Sequence, residues 1–334
     1  MGGREPDELD VVAVGSAIVD VLASATDADL ATHGLVKGTM ALVDRAQSDR
    51  LYADMGPAVE VSGGSAANTV AGVASFGGAA AFIGKVRDDQ LGEVFRHDIR
   101  AVGVAYGTPP AVEGPATARC LVFVTPDAQR TMTTYLGAST ALTAADIDEA
   151  VMASARYTYL EGYLWDPPEA IEALRRAIDL AHGAGRRVAV SLSDPFCVDR
   201  HRRDFLDLVE DVVDVVFANE LEAMSLFEVA TLAPALDRLG AVGRRRPLVA
   251  AVTLGAEGSV VVSGDTLVPS AAVPPPALVD TTGAGDLYAA GFLHGLTTGA
   301  DLARCAHLGG LAAAEIISHI GARPQVPLAT LVPT

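Results

Sequence analysis

Apolar positions recur along this chain with two different spacings, and the two spacings alternate. Short runs of β-branched and other apolar residues are typical of strands buried on both faces of a sheet, and the longer stretches between them repeat apolar residues at intervals of three and four, as amphipathic helices do. The alternation predicts an α/β fold with a mostly parallel central sheet flanked by helices. Strands are predicted at 11–14, 81–86, 157–160, 187–192, 212–217 and 248–253, and helices at 66–75, 91–102, 168–182, 220–227 and 301–319.

Two segments, at about 21–43 and 106–135, depart from this rhythm. Their threonines, glycines and alternating apolar residues predict short antiparallel strands that form a small second sheet. Because both segments leave the core at strand ends, they are well placed to cover a ligand as a lid. No linker, tandem repeat or low-complexity segment divides the chain, so 1–334 is expected to be a single domain.

Composition excludes several classes of partner. The net charge of −18, from 24 basic and 42 acidic residues, repels nucleic acid and anionic membrane surfaces, so neither is an expected partner. Cys120, Cys197 and Cys305 lie far apart without metal-ligand spacing, which argues against a zinc site and a disulfide framework. The acidic N-terminus lacks signal-peptide features, and no apolar run is long enough to span a bilayer. We therefore expect a cytoplasmic protein.

The most informative local sequence is Asp-Thr-Thr-Gly-Ala-Gly-Asp, from Asp280 to Asp286, followed by a helical pattern. A glycine-rich turn that opens a helix directs backbone N–H groups toward one point, where the helix dipole adds positive potential, so it is suited to bind an anion. Asp286 is placed to take a proton from an attacking hydroxyl group or to orient it. The ordinary alternative is a helix-capping Asp after a glycine turn. The motif predicts transfer of phosphate to an alcohol.

Two further segments have side chains suited to bind sugar hydroxyl groups. Gly63 and Gly64 precede a predicted helix and let the backbone approach a substrate closely, while Asn68 within that helix offers a donor and an acceptor. Asp20 is predicted to follow the end of the first strand, where ligands of open α/β sheets bind, and its carboxylate can accept two hydrogen bonds from a diol. A tight turn with close helix packing and a strand-ending Asp are the ordinary alternatives.

Candidate cofactor residues follow two predicted strands. Asn219 and Glu222 are three positions apart, on one face of a starting helix, and their oxygen atoms suit Mg²⁺, often through water. Acidic first turns also complement the helix dipole, which is the simpler explanation. A second turn, which either admits a nucleotide or only reverses the chain, contains Thr253, Gly255 and Gly258.

Other familiar signatures are absent. Gly84-Lys85 resembles the end of a Walker loop, but Ala79 stands where its first glycine belongs and Val86 where Ser or Thr should follow. No Gly-x-Gly-x-x-Gly follows the first predicted strand, and no Gly-x-Ser-x-Gly occurs, which argues against a dinucleotide oxidoreductase and a serine hydrolase.

Taken in order, these segments resemble the ribokinase family of carbohydrate and nucleoside kinases, also called the PfkB family. The resemblance extends from about Val11 to about Gly321, and the terminal Asp-Thr-x-Gly-Ala-Gly-Asp is highly specific for the family. Within it the chain is most similar to adenosine kinases. That similarity is carried by Gly-Gly-Ser-x-x-Asn at 63–68, Tyr-Leu-Glu-Gly-Tyr at 159–163, Leu-Ser-Asp-Pro-Phe at 192–196 and Phe-Ala-Asn-Glu at 217–220.

The resemblance implies a ribokinase-like fold and in-line transfer of phosphate from ATP to the 5′-hydroxyl of adenosine, giving AMP and ADP. Asp286 would be the base, and Arg130 matches an arginine that contacts the transferring phosphate. The implied cofactors are ATP and Mg²⁺, with K⁺ as a further candidate, and a monomer or homodimer is expected. The anion hole would be formed by the backbone of Gly283, Ala284 and Gly285.

The same resemblance assigns further residues to each ligand. The ribose hydroxyls are assigned to Ser16, Asp20, Gly63, Gly64 and Asn68. An apolar slot for the purine is assigned to Cys120, Met132, Leu164 and Phe196. Mg²⁺ and its waters are assigned to Asn219 and Glu222, ATP to Asn219, Thr253, Gly255 and Gly258, and K⁺ to Asp280 and Thr282.

Two positions depart from the pattern of adenosine kinases. Ser16 replaces a common asparagine, and Leu164 replaces an aromatic residue expected to stack on the purine. Two alternatives therefore stay open. One is a kinase of this family for another acceptor, such as inosine, guanosine, ribose or fructose. The other is a nucleoside-binding protein without activity, against which the intact Asp286 and Arg130 argue.

Overall fold

The computed structural model describes residues 8–127 and 129–332. Its strands form two separate sheets. In chain order the strands are β1 (Leu9–Val14), β2 (Ile18–Ser24), β3 (Met40–Leu42), β4 (Ala58–Gly63), β5 (Ala80–Ile83), β6 (Val104–Tyr106), β7 (Ala118–Val124), β8 (Arg130–Tyr135), β9 (Ala155–Glu161), β10 (Arg187–Ser191), β11 (Val215–Asn219), β12 (Val249–Thr253), β13 (Ser259–Ser263) and β14 (Thr266–Ser270).

The large sheet has nine strands in the described residues, in the order β14-β13-β12-β11-β10-β9-β1-β5-β6. All neighbours from β12 to β6 pair in parallel, and only the β13–β14 hairpin adds antiparallel pairs at one edge. The carboxyl ends of the parallel strands therefore lie at one edge of the molecule, where open α/β sheets bind their ligands. The predicted α/β fold is confirmed.

Helices cover both faces of the large sheet, because its central strands are apolar on both sides. The α-helices are α1 (Asp27–Thr32), α2 (Arg45–Asp54), α3 (Ser65–Ser75), α4 (Gln90–Ala101), α5 (Glu149–Ser154), α6 (Pro168–Gly183), α7 (Pro195–Asp207), α8 (Glu220–Phe227), α9 (Leu232–Arg245), α10 (Ala284–Thr297) and α11 (Leu302–Ile316). Val11 and Ala13 belong to one core cluster with α3, α4, α10 and α11, whereas Val12 and Val14 belong to the opposite cluster with α5 to α9.

Short helical turns complete the chain. A π-helical turn occupies Leu208–Val212 and includes the first residue of the strand predicted at 212–217, and β11 begins only at Val215. A run of valines satisfies both patterns, so apolar periodicity does not separate them. In the described part of the chain, no helix is both long and apolar enough to cross a membrane. The 3₁₀-helical turns are Gly137–Ala141, Ala144–Asp146, Gly162–Trp165, Gly255–Glu257 and Leu328–Leu331.

The small sheet has the strand order β3-β8-β7-β2-β4. The prediction of a second sheet is confirmed, but its composition differs from the expected one. The strand β4 was not predicted, β6 belongs to the large sheet, and the 21–43 segment includes the helix α1. The β2–β7 and β3–β8 pairs are parallel rather than antiparallel. The 106–135 segment also includes Ala128, which lies outside the described residues.

Candidate active site

The Asp280–Asp286 segment forms a turn that ends in the first turn of α10. Gly283 is the N-cap, with φ 79° and ψ 0°, a left-handed conformation that favours glycine. A Cβ built on Gly285 would meet no atom within 4 Å, so the space beside the helix start is open. The N–H of Ala284 closes the turn by donating to the carbonyl of Thr281 at 3.2 Å. An open helix N-terminus of this kind can accept a phosphate group.

The carboxylate of Asp286 is held from the neighbouring helix α3. The hydroxyl of Ser65 donates to Oδ1 at 2.6 Å, and the amide of Asn68 donates to Oδ2 at 2.9 Å. Burial raises the pKa of Asp286, whereas these two hydrogen bonds and the charge of Arg323 lower it. Each oxygen thus has one fixed donor and keeps a further lone pair for a ligand hydroxyl.

The predicted glycine pair forms the turn from β4 into α3, which we call the substrate elbow (Gly63 and Gly64). Gly64 has φ 95°, and a Cβ there would collide with the carbonyl of Ser16. A Cβ on Gly63 would collide with the carboxylate of Asp20, which therefore lies directly against the elbow. The structure brings Asp20, the elbow, Asn68 and Asp286 together.

Asp20 itself lies in a different place from the one predicted. The first strand ends at Val14, and Asp20 lies within β2 of the small sheet, opposite Cys120 of β7. The run from Val11 to Val19 spans two strands of different sheets, and only Gly15 and Ser16 interrupt its apolar residues at the break. Burial raises the pKa of Asp20 to about 6, and the Arg323 and Arg130 charges oppose this shift.

Glu161 is a site residue that sequence reasoning left without a role. It ends β9, is fully buried, and accepts hydrogen bonds from the N–H of Ser16 at 2.6 Å and of Ala66 at 2.9 Å. Burial raises the pKa of Glu161 to about 7, against the effect of these hydrogen bonds. The carboxylate therefore ties the start of α3 to the end of the large sheet. A buried strand that ends in Glu was the only local signal.

The residues predicted to surround a purine do not all face one space. Cys120 accepts a hydrogen bond from the Thr134 hydroxyl at 3.3 Å on the small sheet, where Met132 occupies the next strand. Leu164 is 2% exposed and packs in the core, whereas Phe196 is 75% exposed. Leu164 is thus a core residue, which corrects its assignment to an open purine slot.

Tyr163 takes the outward position beside Leu164. It is 38% exposed, and its hydroxyl donates to the carbonyl of Ser193 at 3.2 Å. Burial raises the pKa of Tyr163, and the neighbouring carboxylates of Asp194 and Asp286 raise it further. The 3₁₀ turn after β9 therefore exposes Tyr163, not Leu164, on the side of the Asp286 carboxylate.

Arg130 reaches from β8 of the small sheet to the turn before α10. Its Nη2 lies 2.7 Å from Oδ2 of Asp280, and its Nη1 donates to the Thr282 hydroxyl at 3.4 Å. The side chains of Arg130 and Asp280 are almost fully buried, at 9% and 6% exposure. The ion pair holds the Arg130 guanidinium beside the turn that leads to the open helix start. A K⁺ site at Asp280 and Thr282 stays a prediction.

Asn219 and Glu222 form a hydrogen-bonded cap at the start of α8. The Asn219 N–H and side-chain amide donate to the two Glu222 oxygens at 2.9 and 2.6 Å, and the Glu222 N–H donates to Asn219 Oδ1 at 2.9 Å. Burial raises the pKa of Glu222 to about 7. No group of three or more His, Cys, Asp or Glu side chains suited to a metal occurs in the described residues. These oxygens suit Mg²⁺ held through water and phosphate.

The predicted nucleotide turn follows β12. Gly255 has φ 58° and open space at its Cβ position, whereas a Cβ on Gly258 would collide with the backbone of Ser270. Thr253 ends the strand, with its hydroxyl 3.5 Å from the carbonyl of Ala218.

A cavity of about 390 Å³ lies between α11 and the segment before Asp280, and it is lined by Val273, Pro274, Pro276, Leu311, Ala314, Glu315, Ser318, His319, Gln325, Val326 and Leu331.

Comparison with known proteins gives the family. The model of the pfkB family of carbohydrate kinases matches residues 36–329. The chain belongs to this family. This PfkB-family kinase therefore uses a phosphate donor of the ATP type, and family members typically require Mg²⁺. The resemblance inferred from the ordered motifs is confirmed.

Several relatives of this PfkB-family kinase are adenosine kinases. It is 52% identical to a solved adenosine kinase from Sinorhizobium meliloti, with a TM-score of 0.89 and coverage of 97% and 98% of the two chains. A probable sugar kinase from Rhizobium etli is 47% identical, with a TM-score of 0.89 and 97% coverage of both chains. The adenosine kinase of Saccharomyces cerevisiae is 30% identical over 95% of this chain and 96% of its own.

Proposed function

We propose that this kinase phosphorylates the 5′-hydroxyl of adenosine. The observation that carries the proposal is the Asp286 carboxylate, whose two oxygens are oriented by Ser65 and Asn68 beside the open helix start at Gly285. The proton of the hydroxyl passes to Asp286 as the new oxygen–phosphorus bond forms. The bond from the γ-phosphorus to the bridging oxygen breaks, and ADP leaves.

The remaining residues stabilise charge and position the reactants. Arg130 and the N–H groups at the start of α10, from Gly283 to Gly285, are placed to neutralise the transferring phosphate. Asn219 and Glu222 would hold Mg²⁺ through its waters, and the ion would supply positive charge to the phosphates. Thr253, Gly255 and Gly258 lie along the nucleotide in this proposal. The acceptor ribose binds Asp20, the elbow and Asn68.

A nucleoside acceptor is supported by two exposed aromatic side chains that follow neighbouring strands of the large sheet. Tyr163 and Phe196 follow adjacent parallel strands and are both exposed, at 38% and 75%, which leaves two ring surfaces free for a flat base. The identity of 52% to an adenosine kinase supports the same assignment. The small sheet would act as a lid within a single domain, since Arg130 already links it to the turn at Asp280.

A free sugar is the second candidate acceptor. The relative described as a probable sugar kinase is 47% identical, and the residues that face the diol would serve a sugar as well as a nucleoside. The burial of Leu164 removes one of the expected purine contacts and favours this candidate.

The two candidates are separated by an ADP-release assay with adenosine, inosine, guanosine, ribose and fructose as acceptors. The proposal predicts the highest kcat/KM with adenosine and loss of ADP release in Asp286→Asn. A free sugar with a kcat/KM above adenosine by about tenfold or more would reject the nucleoside assignment. Tight adenosine binding without ADP release at saturating Mg²⁺ would reject catalysis altogether.

A further inference from the structure

Two residues that follow α11, Gly321 and Ala322, contact the Asp280–Asp286 segment, which we call the anion-hole turn. Gly321 donates its backbone N–H to Oδ2 of Asp280 at 3.2 Å. Ala322 is 5% exposed and packs closely against Gly283, since a Cβ added to Gly283 would lie 2.9 Å from the Cβ of Ala322. We call Gly321, Ala322 and Arg323 the C-terminal brace.

Arg323 extends this brace to the substrate elbow. Its Nε donates to the carbonyl of Ser62 at 3.0 Å, and its Nη2 donates to the Ser62 hydroxyl at 2.9 Å. Its Nη1 donates to the carbonyl of Ala67 at 2.5 Å. Ser62 comes directly before the elbow, and Ala67 lies in the first turn of α3. One guanidinium group therefore holds the chain on both sides of the elbow.

Charged groups from several elements face the same guanidinium. Burial lowers the pKa of Arg323 to about 10, while neighbouring carboxylates oppose this shift, so the group stays positive at neutral pH. Its charge in turn lowers the pKa of Asp20 and of Asp286 against the effect of burial. The carboxylates that face Arg323 are Asp98 of α4, Asp20 of β2 and Asp286 of α10. The charge of Arg130 of β8 acts on Asp20 in the same direction as the charge of Arg323.

We propose that Arg323 is a positioning residue for phosphoryl transfer, which sets the distance between the anion-hole turn and the substrate elbow. The inference rests on the proposed transfer to an alcohol, but not on which alcohol is used. The turn holds the phosphate and the elbow holds the acceptor, so the brace fixes their alignment. A misplacement of about 1 Å can lower a rate about 10²-fold.

An arginine is suited to this task where a lysine is not. Its donors lie in one plane and fit several acceptors at fixed angles, whereas a lysine offers a single flexible ammonium group. Arg323→Lys therefore keeps the charge and loses the geometry, and Arg323→Gln loses both. Arg246→Gln is the matched control, because the guanidinium of Arg246 also donates to two backbone carbonyls, those of Val213 at 2.7 Å and Val212 at 3.1 Å.

The experiment compares the full-length chain and these three variants by ADP release across pH and by thermal unfolding. In Arg323→Gln we expect kcat to fall about 10²-fold. The acid limb of kcat/KM should move to higher pH, because Asp20 and Asp286 lose a neighbouring positive charge. Arg323→Lys should keep the wild-type acid limb with a reduced kcat. Arg246→Gln should lower the melting temperature without changing either quantity.

A kcat for Arg323→Gln within about threefold of that for Arg246→Gln would overturn the inference. If Arg323→Gln does not fold, a wild-type kcat in Arg323→Lys overturns it instead. If the wild type releases no ADP with any alcohol, the proposed function fails, and hydrogen exchange still tests the brace. Faster exchange at 60–68 and 280–286 in Arg323→Lys, but not in Arg246→Gln, supports it, and equal exchange contradicts it.

Discussion

Ser65 donates a hydrogen bond to Asp286 at 2.6 Å although the two residues are 221 positions apart in the chain. The contact exists because α3 and α10 pack closely, and a Cβ on Gly72 would lie 2.7 Å from the side chain of Leu287. The orientation of the proposed base is therefore set by a different helix from the one that carries it. Changes in either helix should affect the chemistry.

Replacement of Asp286 by Asn should abolish most turnover and leave the fold intact. An amide cannot accept the hydroxyl proton, and loss of a general base typically lowers the rate roughly 10²–10⁴-fold. Because burial disfavours the charged carboxylate, we expect no decrease in melting temperature. ADP release and thermal unfolding measure the two effects. A variant with near-normal turnover would show that Asp286 is not the base.

Replacement of Ser65 by Ala should move the acid limb of the pH–rate profile to higher pH. The Ser65 hydrogen bond lowers the pKa of Asp286, so its loss raises that pKa, and the base becomes protonated at a higher pH. The measurement is kcat/KM against pH. Ser139→Ala is the control, since Ser139 is also buried but donates to the carbonyl of Leu136. Superimposable profiles for wild type and Ser65→Ala would contradict the expectation.

The sequence was sufficient for features that depend on neighbouring residues. Gly283 at a positive φ, followed by a helix start and Asp286, is a local pattern, and β1, β5, β9, β10, β11 and β12 of the large sheet follow from apolar runs. Glu161 and Arg323 could not be assigned in this way, because their partners lie 95 and 261 residues away. The small sheet was only partly predicted for the same reason, since β4 pairs with β2 across a helical segment.

Replacement of Glu161 by Gln should change the pH dependence of stability. The pKa of Glu161 is raised by burial from 4.5 to about 7. The stability that its protonated form contributes is therefore complete below about pH 4.5 and is lost as pH rises through about 7. Gln does not titrate, so the melting temperature of Glu161→Gln should rise relative to that of the wild type as pH increases across this range.

Glu149→Gln, on the exposed surface of α5, is the control for that experiment. Thermal unfolding at several pH values between about 4.5 and about 8 covers both pKa values. Parallel melting curves for wild type and Glu161→Gln would mean that the buried carboxylate does not titrate in this range.

Tyr163 and Leu164 should separate substrate binding from stability. The Tyr163 ring is partly exposed near Asp286, whereas Leu164 is 2% exposed in the core. Tyr163→Ala should raise the KM for adenosine about tenfold, because a base loses a ring contact. Leu164→Ala should lower the free energy of unfolding by about 2–5 kcal/mol, the usual cost of a buried cavity, without changing KM.

The control for the aromatic contact is Tyr163→Phe, which keeps the ring and removes only the hydrogen bond to the carbonyl of Ser193. It should bind adenosine as the wild type does. With ribose as acceptor, Tyr163→Ala should leave KM unchanged, because a free sugar has no base to contact the ring. The opposite pattern, in which Leu164→Ala raises the KM for adenosine and Tyr163→Ala does not, would mean that the purine binds against Leu164 after a rearrangement of the turn after β9.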